Sequence, residues 1–162
     1  MTRRVFFSFH YERDIWRANV VRNSWVTKDR EAAGFWDASL WEEAKKKGDE
    51  AIKKMINDGL KNTSVTVVLI GKETSGREWV RYELRESYKK GNGMLGVYIH
   101  NIKDKDENTD DKGDNQFGEI GKDAVGNSIY FWQKYKTYDW KSDNGYQNFG
   151  DWVEQAAKDA GK

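Results

Sequence analysis

Trp79 and Glu83 lie four residues apart, so on a helix they share one face and set a flat ring beside a carboxylate. They belong to the run Trp79-Val80-Arg81-Tyr82-Glu83-Leu84, which follows the apolar stretch Val65 to Ile70 and a Gly-bounded loop from Gly71 to Gly76. A helix opening where a buried strand ends stands at the edge where open α/β sheets bind ligands. Ser8-Phe9-His10-Tyr11, after the first apolar run, falls at the same edge. There His10 is either a general base or a strand-end residue bonded to backbone. Trp36 and Trp41 add rings on which a flat heterocycle could stack, although aromatic residues also dominate ordinary cores. A helix glutamate is ordinarily solvated, so what distinguishes Glu83 is its place in the fold.

That place depends on the elements. Arg4 to Phe9 reads as a first strand. Ile15, Ala18, Val21 and Trp25 recur at helical spacing over residues 14–25, with Asp14 as the N-cap. Gly34 to Asp37 reads as a short second strand, followed by a loop from Asp37 to Lys47. Ala51, Ile52, Met55, Ile56 and Leu60 form an amphipathic helix after Asp49. Ser64 to Ile70 has no polar alternation, the pattern of a parallel strand buried on both faces. A helix over 77–90 turns Val80, Leu84 and Tyr88 to the core, with Trp79 and Glu83 flanking that stripe. Met94 to Ile99 and Tyr135 to Trp140 complete the strands, and a helix carrying Phe149, Trp152, Val153 and Ala156 closes the chain.

Strands alternating with helices imply right-handed βαβ units and a doubly wound α/β sheet with helices on both faces. In the order 2-1-3-4-5 the switch point lies between the first and third strands, and Ser8 to Tyr11, Gly71 and Glu83 converge on one crevice. Residues 101–127, dense in Lys, Asp, Gly and Asn, fit no period and read as a polar loop or insertion. The 162 residues suit one domain spanning 1–162.

Composition removes several chemistries. There is no Cys, which excludes disulfides, thiol nucleophiles and Cys-ligated zinc, and the two His residues are too few for a multi-His metal centre. A net charge of +1 provides no field for nucleic acid or anionic membrane. No apolar run approaches the ~18 residues of a membrane span, and the first residues lack the pattern of a secretory leader; a soluble cytoplasmic protein is expected. Gly71 to Gly76 is bounded like a phosphate loop, but Arg77-Glu78 follows where such a loop needs Lys and Ser or Thr. Asp104, Asp106, Asn108 and Asp110 alternate like calcium ligands, yet neither register puts Gly sixth and Glu twelfth. A phosphoacceptor receiver needs an Asp where Leu69-Ile70-Gly71 ends the third strand.

Several motifs together resemble the Toll/interleukin-1 receptor (TIR) superfamily, in particular the bacterial TIR-like group of Thoeris anti-phage defence. Val5-Phe6-Phe7-Ser8-Phe9 is similar to its opening strand, and Trp79 to Leu84 to its Trp-x-x-x-Glu-Leu helix. Phe9-His10-Tyr11, Val20 to Asn23, Asp37 to Trp41 and Asn62-Thr63-Ser64 also resemble that group. The resemblance runs from about residue 3 to 100, with a weaker echo from Tyr138 to Val153. It implies a flavodoxin-like sheet and cleavage of NAD+ at the nicotinamide–ribose bond. It further implies a cyclic ADP-ribose isomer that signals to a separate effector, and self-assembly into an oligomer or filament on activation.

The resemblance assigns the catalytic role to Glu83, which when ionised would stabilise oxocarbenium-like charge on the ribose. It assigns substrate contacts to Ser8, Phe9, His10 and Tyr11 after the first strand, to Asp37, Ala38 and Ser39 after the second, and to Trp79. No cofactor beyond NAD+ as substrate and no metal is implied. The chain has no Pro, so it lacks the loop proline of many receptor TIR domains. Two other readings remain open on the residues alone: a non-catalytic TIR-like assembly module, and a nucleoside deoxyribosyltransferase or nucleotide N-glycosidase using Glu83 as nucleophile.

Overall fold

The computed structural model describes residues 3–26, 30–36 and 38–162, with the side chain of Ala38 outside that set. Five parallel strands form the central sheet in the order β2-β1-β3-β4-β7. These are β1 (Arg4–Ser8), β2 (Glu31–Ala33), β3 (Val65–Ile70), β4 (Gly93–Tyr98) and β7 (Thr137–Asp139). This is the 2-1-3-4-5 order expected of a flavodoxin-like fold; the last strand is seventh in the chain because a hairpin precedes it.

Strand alternation divides the core. Val5, Phe7, Val65, Val67, Leu69, Leu95 and Val97 face α1 (Tyr11–Val26) and α6 (Gly145–Asp159), where Ala18, Val21, Trp25, Phe149 and Val153 meet them. On the other face Phe6 packs on α2 (Ala38–Lys47) and α3 (Asp49–Leu60). Val68, Ile70 and Met94 pack there against Val80 and Leu84 of α4 (Glu78–Lys90). Ser8 and Thr66 are the buried polar exceptions among these strand residues. Their positions in the alternation put both on the α4 side.

The structure corrects several expectations. The second strand is Glu31–Ala33, not Gly34 to Asp37. Gly34, at φ +91°, ends the ladder so closely against β1 that a Cβ there would stand 2.2 Å from the Phe7 carbonyl oxygen. Phe35 and Trp36 then pack into opposite clusters without pairing to β1. Most of the expected Asp37 to Lys47 loop is helix α2; Asp37 itself lies outside the described residues.

Helix α1 begins at Tyr11, so Asp14 is not its N-cap. The Asp14 amide donates to the His10 carbonyl, while the Arg13 amide donates to His10 Nδ1 at 3.4 Å. Asp14 itself is buried and bonded to Arg13.

The 101–127 stretch is more than a solvated loop. Arg17 donates to the carbonyls of Ile102 and Asn108, and Arg13 pairs with both Asp110 and Glu73. Its second half carries β5 (Glu119–Lys122), which forms an antiparallel hairpin with β6 (Ser128–Tyr130). Phe117 and Ile120 are buried against α4 and Phe131, the first residue of α5 (Phe131–Lys134). Two apolar side chains in a polar run have no period to reveal them.

A Gly34→Ala protein would meet both a left-handed backbone and the Phe7 carbonyl. It should lose at least about 2 kcal/mol of stability in urea unfolding; an unchanged midpoint would refute this placement of the β2 exit.

Candidate functional site

Glu83 lies on the buried face of α4 with Val80, Leu84 and Ser87, a run at i, i+3, i+4 and i+7. It therefore joins the inward stripe that it was expected to flank, and Tyr88 is only partly buried. The Glu83 carboxyl is 4% exposed, and Ser8 Oγ at the end of β1 donates to its Oε1 at 2.8 Å. Parallel pairing of β1 with β3 carries Ser8 level with Val68, beneath the first turns of α4. The pair thus sits at the switch point of the sheet.

Burial dominates the electrostatics. Removing the carboxylate from water pushes the Glu83 pKa up to about 8, although the Ser8 hydrogen bond pulls it down. Near neutral pH burial therefore favours the protonated form of Glu83, whereas the role the resemblance gives it needs the ionised form. Burial also pulls the neighbouring His10 pKa down, and the positive charge of Arg77 adds to that. Its Nδ1 accepts the Arg13 amide, so His10 serves the start of α1 as a neutral ring.

Phe9, His10, Tyr11, Trp36, Trp41, Trp79 and Glu83 line one crevice. Trp36 and Trp41 stack at 5.8 Å and 16°, and the Tyr11 ring lies 5.4 Å from Trp41. The Tyr11 hydroxyl donates to the Trp36 carbonyl. Trp79 meets Tyr82 edge-on at 5.7 Å. Between these walls about 20 Å³ of free space remains, room for roughly one water and far too little for a dinucleotide. The aromatic wall is closed in this conformation.

Of the other expected contact residues, Ser8 reaches the crevice through Glu83. Ser39 is exposed on α2 and does not line it. Ala38 starts α2, and Asp37 lies outside the described residues. Sequence reasoning missed four lining residues: Phe7, Gly34, Arg77 and Val80. Arg77 had a signal, being a cation in the turn immediately before α4. Phe7 and Gly34 enter only because β2 leaves the sheet beside β1, which periodicity does not encode. Among the described residues, no group of three His, Asp or Glu side chains could hold a metal ion. No helix among them is long and apolar enough to cross a membrane.

Comparison with known proteins gives the family. Over 94% of its length the chain is similar to a Bacillus cereus (strain MSX-D12) protein named "Putative cyclic ADP-D-ribose synthase ThsB1". The two are 44% identical over 191 aligned positions that take in all of that protein. Residues 6–104, which hold the end of β1, all of β2 through β4 and the Ser8–Glu83 crevice, match the family described as "Thoeris protein ThsB, TIR-like domain". This chain belongs to the TIR-like ThsB family of Thoeris proteins.

Proposed function

We propose that this chain is a Thoeris defence enzyme that breaks NAD+ at the nicotinamide–ribose bond and closes the remaining ADP-ribose into a cyclic isomer. One observation carries the reading. A carboxyl group is buried at the sheet's switch point, held by Ser8 and walled by aromatic rings. The name of the Bacillus cereus relative supports the same chemistry. On this reading residues 1–162 act as one TIR-like domain in the cytoplasm, and a separate effector reads the product.

The chemistry asks little of the protein. The C1′–N bond breaks and nicotinamide leaves as a neutral base with the bonding electron pair, so no acid need protonate it. The ribose is left with oxocarbenium-like positive charge. Glu83 is ill-suited to that charge while protonated and well suited once ionised. The pyridinium of NAD+ is cationic, and its arrival beside Glu83 favours the carboxylate. Substrate binding thus converts a neutral buried acid into the anion that the transition state needs, with its proton passing to solvent. A hydroxyl of the folded-back adenosine portion then attacks C1′, and the carboxylate takes its proton.

Phe9, Tyr11, Trp36, Trp41 and Trp79 would hold the substrate and exclude water, which favours cyclisation over hydrolysis. Ser8 holds the Glu83 carboxyl in place, and His10 lines the crevice as a neutral donor. Asp37, Ala38 and Ser39 are assigned further substrate contacts once the pocket opens. No cofactor or metal enters these steps, and neither nucleic acid nor membrane is a partner. The closed wall must part to admit a dinucleotide, and assembly of several copies is the activation route we assign to it.

Three measurements test this reading. First, kcat/KM for nicotinamide release should rise about tenfold per pH unit and level off above about pH 8, because ionised Glu83 is the active form. A profile that is flat between pH 6 and 8 would remove Glu83 from this role.

Second, Glu83→Gln should lower turnover by about 10²–10³-fold and also change stability. Folded Glu83 keeps its proton to about pH 8, whereas the group ordinarily loses it near 4.5. Wild-type stability should therefore fall as pH rises between those values, at up to roughly 1.4 kcal/mol per unit. The Gln variant should lack that slope in urea titrations.

Third, Ser8→Ala removes the bond that favours the carboxylate. It should move the activity profile to higher pH by about one unit, which pH-dependent kinetics would reveal.

A further inference from the structure

A second cavity, of about 280 Å³, lies at the opposite edge of the sheet from Glu83. It opens beside the first residues of β4, between the end of α4, the turn before β7 and the last turns of α6. Its volume is near the lower bound of small-molecule pockets, about 300 Å³. It is too small for a dinucleotide, so it is not a second substrate site.

Three features of this cavity point to a ligand. Asn92 lines it at 2% exposure, and its amide nitrogen donates to Thr63 and Thr66 at 3.0 and 3.2 Å. Its Oδ1 is buried with no partner, which is costly for an amide oxygen. A turn of the side chain toward the cavity would let a ligand N–H satisfy it.

Second, lysines gather here around a single carboxylate. Lys134 and Lys136 line the cavity. Lys162 Nζ comes within 4.0 Å of where a Cβ on Gly91, another lining residue, would stand. Burial first, and then the charge of Lys162, pull the Lys90 pKa down. Among the described residues none of these four has an ion-pair partner, and Asp159 is the single acidic residue in the lining.

Third, the wall is aromatic. Tyr138 and Trp152 stack at 4.2 Å and 5°, and Tyr135, half-buried, completes the surface.

We propose that this cavity is a binding site for a nucleoside monophosphate or a ligand of the same chemistry: one heteroaromatic ring carrying an N–H donor and one phosphate. The ring lies on the Tyr135, Tyr138 and Trp152 surface and donates to Asn92 Oδ1, while Lys134 and Lys136 take the phosphate. The site is connected to the crevice. Asn92 donates to Thr66 Oγ1, Thr66 Oγ1 meets Ser87 Oγ at 2.7 Å, and Ser87 Oγ donates to the Glu83 backbone carbonyl at 2.7 Å. Occupancy of the cavity therefore bears on the turn of α4 that carries Glu83.

AMP is the probe, measured by calorimetry on the full chain with ¹H–¹⁵N spectra of the Asn92 side-chain amide and the Trp152 indole. AMP should bind and shift both signals. The double variant Lys134→Glu/Lys136→Glu should weaken it at least tenfold. Adenosine and inorganic phosphate should each bind at least tenfold more weakly than AMP. The proposal fails if AMP does not bind at millimolar concentration. It fails equally if Trp79→Ala abolishes binding while the lysine reversals do not, which would put the nucleotide in the crevice. Phosphate binding as tightly as AMP would overturn the role of the ring, and adenosine doing so would overturn that of the lysines.

Discussion

The functional reading rests on a single buried contact, Ser8 Oγ to the Glu83 carboxyl. A carboxyl at 4% exposure is tolerated because it keeps its proton and accepts one well-placed hydrogen bond. That arrangement opposes stability whenever the group must ionise and favours catalysis for the same reason. Positive charge arriving at the site meets an acid whose ionisation has been held back by the lack of water. The fold therefore stores at Glu83 an electrostatic demand that a cationic substrate satisfies.

The surrounding structure holds α4 in register to keep that contact. Thr66, Ser87 and Asn92 form a buried polar chain between β3, α4 and the turn into β4. The C-terminal glycine of the helix, Gly91, adopts the left-handed conformation and returns the chain directly to β4. On the outer side the β5–β6 hairpin presses Phe117 and Ile120 against Val80 and Leu84. Strand, helix and hairpin thus confine α4 from three sides, and a slip of one residue would carry Glu83 off the buried face.

Aromatic residues do two jobs here. Phe6, Phe7, Trp25 and Phe149 are buried and fill the core of a chain with a modest hydrophobic share of 37%. Trp36, Trp41, Tyr11 and Trp79 close the crevice instead. Rings suit both roles, since each buries a large area with few rotatable bonds and also offers a flat face to a heterocycle. The wall is held by the stacking of Trp36 on Trp41, by the Tyr11 hydroxyl on the Trp36 carbonyl and by the Trp41 indole N–H on Glu12.

Much of this was legible in the residues. The unbroken apolar runs of β3 and β4, the helical spacing in α3, α4 and α6, and the pairing of Trp79 with Glu83 come from local periodicity, and they lead to a parallel α/β sheet with Glu83 at its switch point. The motif resemblance likewise agreed with the family that the comparisons identify. Local pattern did not reveal that Glu83 faces inward, because a charged residue beside a hydrophobic stripe looks solvated until Ser8, 75 residues away, is brought beneath it. Nor did it reveal that β2 ends before Gly34, that Phe117 and Ile120 are buried, or that Arg77 lines the crevice. Each of these depends on packing between segments distant in the chain. The protonation state of Glu83 belongs to the same class, since pKa follows solvent exclusion and only the assembled structure excludes solvent.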